Sequence, residues 1–306
     1  MVKTVEGTIA PESGMAAVCA IKEWKRMLQY VRKYLLLYYV IALAPTIAFL
    51  IVCYVLVGQQ VVASIMAWLG AVALLVASTL FASRMMNRAA GKYLKGLLRI
   101  LNEECDPVQF LKQGGSVALK IKSPFNEWGS LFNSACALAY IDIGERDVAR
   151  CIVESMRVSA KAAKKPVESG HICLNMHDPV KLLYGIDLAI SCLDEAQGLV
   201  SQDPADIDFS YCMRFIESER ALDIAERDGD VDSLIALTAE IIQNQHIFMR
   251  VRVYAASLRA EAFRKLGDGE SEKHWLSFIV DYGNRMQAVD YARSRLAALQ
   301  QAAPAV

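Results

Sequence analysis

Between Lys33 and Arg84 the chain carries no charged residue, and this apolar run is broken only at Gly58-Gln59-Gln60. Tyr34–Val57 has 24 residues and Val61–Ser83 has 23. As helices rising about 1.5 Å per residue, each would reach past the bilayer hydrocarbon, about 30 Å thick. The pattern predicts a transmembrane helical hairpin over 34–83, with Gly58-Gln59-Gln60 as a tight turn at the far interface, where polar backbone meets water again. The competing reading is a buried core hairpin, which an uncharged run of this length disfavours. A cleaved signal peptide is not expected, because 33 residues precede the first long segment and a second follows at once.

Helical periodicity continues on both sides of the hairpin. Ile21, Trp24, Leu28 and Val31 share one stripe with basic residues between them. That is the pattern of an interfacial helix with Trp24 at headgroup level, or of a helix docked on a soluble domain. Beyond the hairpin, Leu94, Leu97, Leu98 and Leu101 form an apolar stripe, and Arg84, Arg88, Lys92, Lys95 and Arg99 a basic one. This basic stalk over 84–115 either touches anionic lipid or serves only as a topology signal. Asp106-Pro107 should end its helix, since the residue before proline avoids the helical region. Gln113-Gly114-Gly115 reads as a loop, and the loose alternation over Ser116–Lys122 as a short β element.

The remaining pattern is helical, with periodic runs near 124–142, 145–164, 179–200, 207–228, 231–245, 247–266, 271–283 and 286–300. Three joints look alike: IGERD at 143–147, DGDVD at 228–232 and LGDGE at 266–270. Each places glycine where a helix can end left-handed, then acidic residues where the next helix begins. Short joints of this kind make helix hairpins, and their repetition predicts a helical solenoid or a compact relative.

In NSACALAYIDIGERDVARCIVESM, Ala137 and Tyr140 precede Gly144 by seven and four positions, and Ala149 follows it by five. Ala260 and Phe263 sit likewise before Gly267, although Glu272 stands where an alanine would complete the pattern, and around Gly229 only the turn matches. These residues resemble the tetratricopeptide repeat. The resemblance implies an all-α domain over 116–306 with a concave surface for a peptide or protein, in which Asn133, Tyr140, Arg250 and Tyr254 are the candidate partner-binding residues.

Charge separates the two ends. Residues 1–99 hold 11 basic and 3 acidic residues, and the rest 22 and 30. Basic residues flank both predicted spans on one side and none lies in the turn, so both termini are expected in the cytoplasm of an integral plasma-membrane protein. No Asp, Glu, Lys, Arg or His lies inside either span, which favours an anchor over a conduit. A mean hydropathy of +0.27 is too high for an ordinary soluble domain, and the acidic remainder argues against nucleic acid. Asp187–Glu240, with 14 acidic and 3 basic residues, reads as the solvated side of several helices.

The candidate chemistry is thin. His171, Cys173 and His177, followed by Asp178, crowd a segment that reads as a loop, and their spacing matches no standard zinc motif. Asp228, Asp230 and Asp232 imitate a calcium loop, but Ser233 and Ala239 occupy its glycine and glutamate places. The eight cysteines lack framework spacing, and no phosphate-binding, metalloprotease or nucleophile-elbow motif occurs. The sequence therefore predicts a membrane-anchored, non-enzymatic scaffold or docking protein with no cofactor and no metal. It would bind an unidentified protein or peptide and could self-associate through the hairpin. The alternatives are an accessory subunit of a membrane transport, secretion or envelope complex, or an enzyme whose site carries no motif.

Overall fold

The computed structural model describes Val40, Ala44, 46–49, 51–52, Val55, 61–118 and 126–302. Trp24, the amphipathic stretch 21–31, Pro45 and the Gly58-Gln59-Gln60 turn lie outside these residues, as do the side chains of Ala63 and Ala67. Among the described residues every regular element is an α-helix. They are α1 (Val61–Asn102), α2 (Pro107–Ala118), α3 (Asn126–Asp142), α4 (Arg146–Ala162), α5 (Pro166–Tyr184), α6 (Ile186–Val200), α7 (Phe209–Asp228), α8 (Val231–Gln243), α9 (Met249–Leu266), α10 (Gly269–Tyr282) and α11 (Gln287–Ala302). The chain divides into two compact units, Met1–Lys95 and Gly96–Val306, so the boundary falls within the predicted stalk.

Starting in the first unit, α1 begins where the second span was predicted and continues without a break into the stalk as far as Asn102. Its 42 residues extend about 63 Å. Val40, Ala44, 46–49, 51–52 and Val55 are helical too, and Phe49 lies against Gly70, where an added Cβ would sit 2.9 Å from its ring. Trp68, Leu69, Val72, Val76, Leu80 and Phe81 are exposed. Among the described residues no helix is long and apolar enough to cross a membrane; the first predicted span falls mostly outside them, and α1 keeps described side chains only from Trp68 onward. Arg84, Arg88, Lys92, Lys95 and Arg99 are all exposed, while Leu94, Leu97, Leu98 and Leu101 are buried.

The second unit is a chain of helix hairpins. α1 ends at Asn102, and Asp106 then caps α2, its Oδ1 accepting a hydrogen bond from the Gln109 N–H at 2.9 Å. Pro107 takes the first helical position, where its missing N–H costs nothing. The Gln113-Gly114-Gly115 loop expected from sequence is instead helical, and Ser116–Ala118, assigned to the β element, complete the same helix. Residues 119–122 lie outside the described residues. Gly114 fits inside α2 because Phe132 and Leu97 press on it, with the nearest ring atom 3.0 Å from a would-be Cβ. Tight packing, not turn geometry, explains this glycine.

The run predicted as one helix over 179–200 is two, α5 and α6, separated by Gly185 at φ 102°. The segment holding His171, Cys173 and His177 is the interior of α5, not a loop. Pro166 starts α5 at its first turn, Gly170 lets Val200 approach to 2.8 Å of a would-be Cβ, and Pro179 lies within the helix. The helix is therefore continuous from the segment read as a loop into the run predicted from 179. The glycine joints do act as expected: Gly144, Gly229 and Gly267 have φ of 86°, 69° and 74°. After the last two, Asp230 and Asp268 accept hydrogen bonds from the Ser233 and Ser271 N–H groups, both at 3.1 Å.

Each helix from α3 to α11 packs on its neighbour in sequence, and α3 also packs on α5. The array closes on itself. Arg285 N–H donates to the Cys105 carbonyl at 3.3 Å, and Asn284 Nδ2 donates to the Glu104 carbonyl at 2.8 Å. Cys105 and Asn284 are the non-glycine residues with positive φ among those described. Holding such backbone costs of order 1–3 kcal/mol each and persists only where the surroundings enforce it. Cys105 is fully buried with Val253, Ala256, Ile279, Met286 and Val289, so the α1–α2 connection is locked into the core of the last helices.

Candidate functional site

Polar residues recur at helical spacing on the inner faces of alternate helices. α5 supplies His177, Asp178 and Lys181; α7 supplies Glu219, Asp223 and Glu226; α9 supplies Arg250 and Tyr254; Asp142 ends α3. The i, i+4 and i, i+7 steps put each set on one stripe. The stripes meet because the array closes, with α3 and α9 brought together across 108 positions of sequence by the ion pair of Arg250 Nη2 and Asp142 Oδ2 at 2.8 Å.

Asp223 is at the middle. Its side chain is 0% exposed, and it accepts from His177 Nε2 at 2.7 Å and from Lys181 Nζ at 2.6 Å. His177 Nδ1 contacts Asp178 Oδ1 at 2.8 Å. Lys181 also pairs with Glu226 at 2.7 Å and rests 5.3 Å from the centroid of the Tyr254 ring, a cation–π contact. Buried charges survive only when matched and hydrogen-bonded in this way.

The titrations follow from this geometry. Burial alone would lower His177, but its hydrogen bonds to Asp178 and Asp223, and their charges, overcome that and hold the imidazolium up to about 10. Burial also works against the Lys181 ammonium, which Tyr254, Asp223 and Glu226 nevertheless keep above the usual range. Burial would raise Asp223, yet the His177 hydrogen bond and the two cations hold it below the usual carboxylate range. Glu219 goes the other way: burial, then the charge of Asp178, push it up to about 7. With both ring nitrogens donating, His177 has no lone pair free to accept a proton.

A pH dependence of stability follows. His177 and Glu219, both raised, bind protons more tightly when folded than when unfolded. Glu219 therefore contributes stability that is full below about 4.5 and is lost as pH rises through about 7. His177 contributes stability that is full below about 6.5 and is lost as pH rises through about 10. Asp223 has the opposite sign, its contribution falling away in acid below 3.8. The urea midpoint is expected to decline from pH 5 to pH 9.5, and Glu219→Gln to flatten the lower part of that decline. A midpoint that rises with pH over this interval would contradict the assignment.

Of the four partner-binding candidates, Arg250 and Tyr254 fall inside this centre. Arg250 is buried and engaged with Asp142, and Tyr254 is half-buried beneath Lys181. Asn133 and Tyr140 are half-buried on α3. Among the lipid-contacting candidates, the five basic residues of α1 are exposed and Trp24 lies outside the described residues. Sequence reasoning missed His177, Lys181, Glu219 and Asp223 as a group. The available signal was the pairing of i, i+4 polar residues on α5 and α7, which lay unrecognised within a supposed loop and a supposed solvated face. Asp223 corrects that second reading, although Asp187, Asp194, Asp228 and Asp230 are exposed as expected.

Among the described thiols Cys151 is exposed and the other five are buried. Cys136 and Cys173 are buried, and burial pushes both up, Cys173 to about 12. No known protein family, curated protein or solved structure matches the chain.

Proposed function

We propose that the chain is a membrane-anchored, non-enzymatic scaffold, an integral plasma-membrane protein with both termini cytoplasmic, whose TPR-like helical unit serves protein–protein interaction. The observation that carries the reading is on α1. Exposed apolar side chains from Trp68 to Phe81 are followed on the same helix by the exposed basic row Arg84, Arg88, Lys92, Lys95 and Arg99. An exposed apolar band of this extent calls for a nonaqueous partner, and a basic row next to it suits the anionic side of a bilayer. The charge-free sequence over 34–83 supplies the length, and the seat of Phe49 on Gly70 is the close approach expected of two paired spans.

The helical unit supports a docking role through its hairpin architecture, in which each helix from α3 to α11 packs on its neighbour in sequence. The test is extraction. Full-length protein is expected to stay with membranes in alkaline carbonate and to enter solution only with detergent, and its release by carbonate would refute the anchor. Capture from mild detergent should then recover a protein that is displaced by excess helical unit. Retention of that protein only through the hairpin would instead indicate an accessory subunit of a membrane complex.

A further inference from the structure

The buried centre contains more negative charge than its permanent cations can balance. Arg250 answers Asp142, and Lys181 lies between Asp223 and Glu226. Asp178 pairs directly with His177, whereas Lys181 and Arg250 act on Asp178, and Lys181 on Glu219, only through their charge at longer range. Among the described residues Glu219 makes no hydrogen bond and no ion pair, although it is half-buried. We propose that His177, Asp178 and Glu219 bind one divalent transition-metal cation of the Zn2+ or Mn2+ class, which ties α5 to α7.

The geometry suits this. One donor atom from each of the three residues lies within 4.8 Å of the others. Ligands about 2.0–2.2 Å from one ion stand about 3–3.5 Å apart, so the 2.8 Å between His177 Nδ1 and Asp178 Oδ1 needs to open by only a fraction of an ångström. Metal binding releases the Nδ1 proton to solvent, so that Nδ1 turns from hydrogen-bond donor to ligand while Nε2–H still donates to Asp223 Oδ2 at 2.7 Å. A carboxylate behind a ligating imidazole fixes the ring and strengthens the ligand. Asp223 is held in turn by Lys181, so the supporting carboxylate is itself oriented. Asp178 is 51% exposed at its side chain, which gives an ion a path from solvent.

One imidazole nitrogen with two carboxylate oxygens favours zinc, manganese or iron over the soft ions that thiolates select. Three protein donors leave coordination positions for water or for a group from a partner. A divalent ion would also offset the negative charge of the two ligating carboxylates, neither of which makes an ion pair with Lys181 or Arg250. A second group, His171 with Asp206 and Asp208, is also closely spaced. Among the described residues no carboxylate hydrogen-bonds to His171, and Asp208 is exposed, so that group serves as the control. The inference does not depend on the membrane reading.

The test uses untagged full-length protein in mild detergent, stripped with EDTA and dialysed against Zn2+ or Mn2+ alone. One equivalent per chain should be retained, and at a free concentration about 100 times Kd the melting temperature should rise by about 5–10 °C. Glu219→Gln and Asp178→Asn, which remove groups that are not fully buried, should still melt cooperatively in EDTA and bind at least about 100-fold more weakly. Asp223→Asn, which acts through His177, should lose about 10–100-fold. His171→Gln should bind as the parent does. The Co2+ form should show ligand-field bands without a thiolate charge-transfer band. Failure to retain an equivalent, unchanged affinity in Glu219→Gln, or a thiolate band would each overturn the proposal.

Discussion

Asp223→Ala is expected to destabilise the helical unit by about 3–5 kcal/mol, the largest effect of any single replacement outside the hydrophobic core. The carboxylate is wholly buried and receives hydrogen bonds from both His177 and Lys181. Its removal leaves an imidazolium and an ammonium facing one another in a site that water cannot fully enter. The cost is mainly that of two buried cations left with one carboxylate each, Asp178 for His177 and Glu226 for Lys181, not of two lost contacts. Asp223→Asn, which keeps the shape and one acceptor, should cost less. Replacing the triad together, His177→Leu, Lys181→Met and Asp223→Leu, should recover much of the loss, because a packed apolar set does not incur the desolvation penalty. Urea unfolding of the four proteins at constant pH checks the ranking, and a mild effect of Asp223→Ala with a severe one for the triple variant would reverse it.

Arg250→Met is expected to cost about 3 kcal/mol or more. Arg250 is 8% exposed and its partner Asp142 lies at the end of a different helix. Methionine fills the stem volume but strands the Asp142 carboxylate in the closed centre. The same change also weakens the seam between the first and last hairpins, where Cys105 and Asn284 hold left-handed backbone that needs its surroundings to enforce it. Loss should therefore appear as faster hydrogen exchange at Cys105–Gln109 and at 283–287 as well as a lower midpoint. Slower or unchanged exchange there would mean that the seam does not depend on the Arg250 pair.

Local chemistry made much of the fold legible in advance. Glycines 144, 229 and 267 announce left-handed helix ends, Asp106-Pro107 announces a stop and a new start, and Leu94, Leu97, Leu98 and Leu101 announce a buried stripe. These signals act within one or two helical turns, so one chain segment contains them. The first half of α5 was not legible because the segment around Gly170 read as a loop, whereas the glycine is accommodated by its close contact with Val200 of α6. Gly114 misled for the same reason.

The polar centre was hidden for a different reason: its members come from four helices. Asp223 stands in a run so acidic that exposure was the natural expectation, and only the closure of the array reveals it as the most buried carboxylate among the described residues. Arg250 and Tyr254 were singled out for lying on a helix comparable to a groove-lining one, and they lie in the same centre as Lys181, engaged by the protein's own residues. Had the array remained open, that stripe would have faced solvent.

The central claim is that the helical unit closes through a buried ionic centre, and the most direct test is a double-mutant cycle on its longest-range pair. Asp142→Asn and Arg250→Met should together cost less than the sum of their separate effects, with a coupling of about 1.5–3 kcal/mol. That coupling would join residues 108 positions apart in sequence. Effects that add to within about 0.5 kcal/mol would place the two residues out of contact and contradict the closed arrangement.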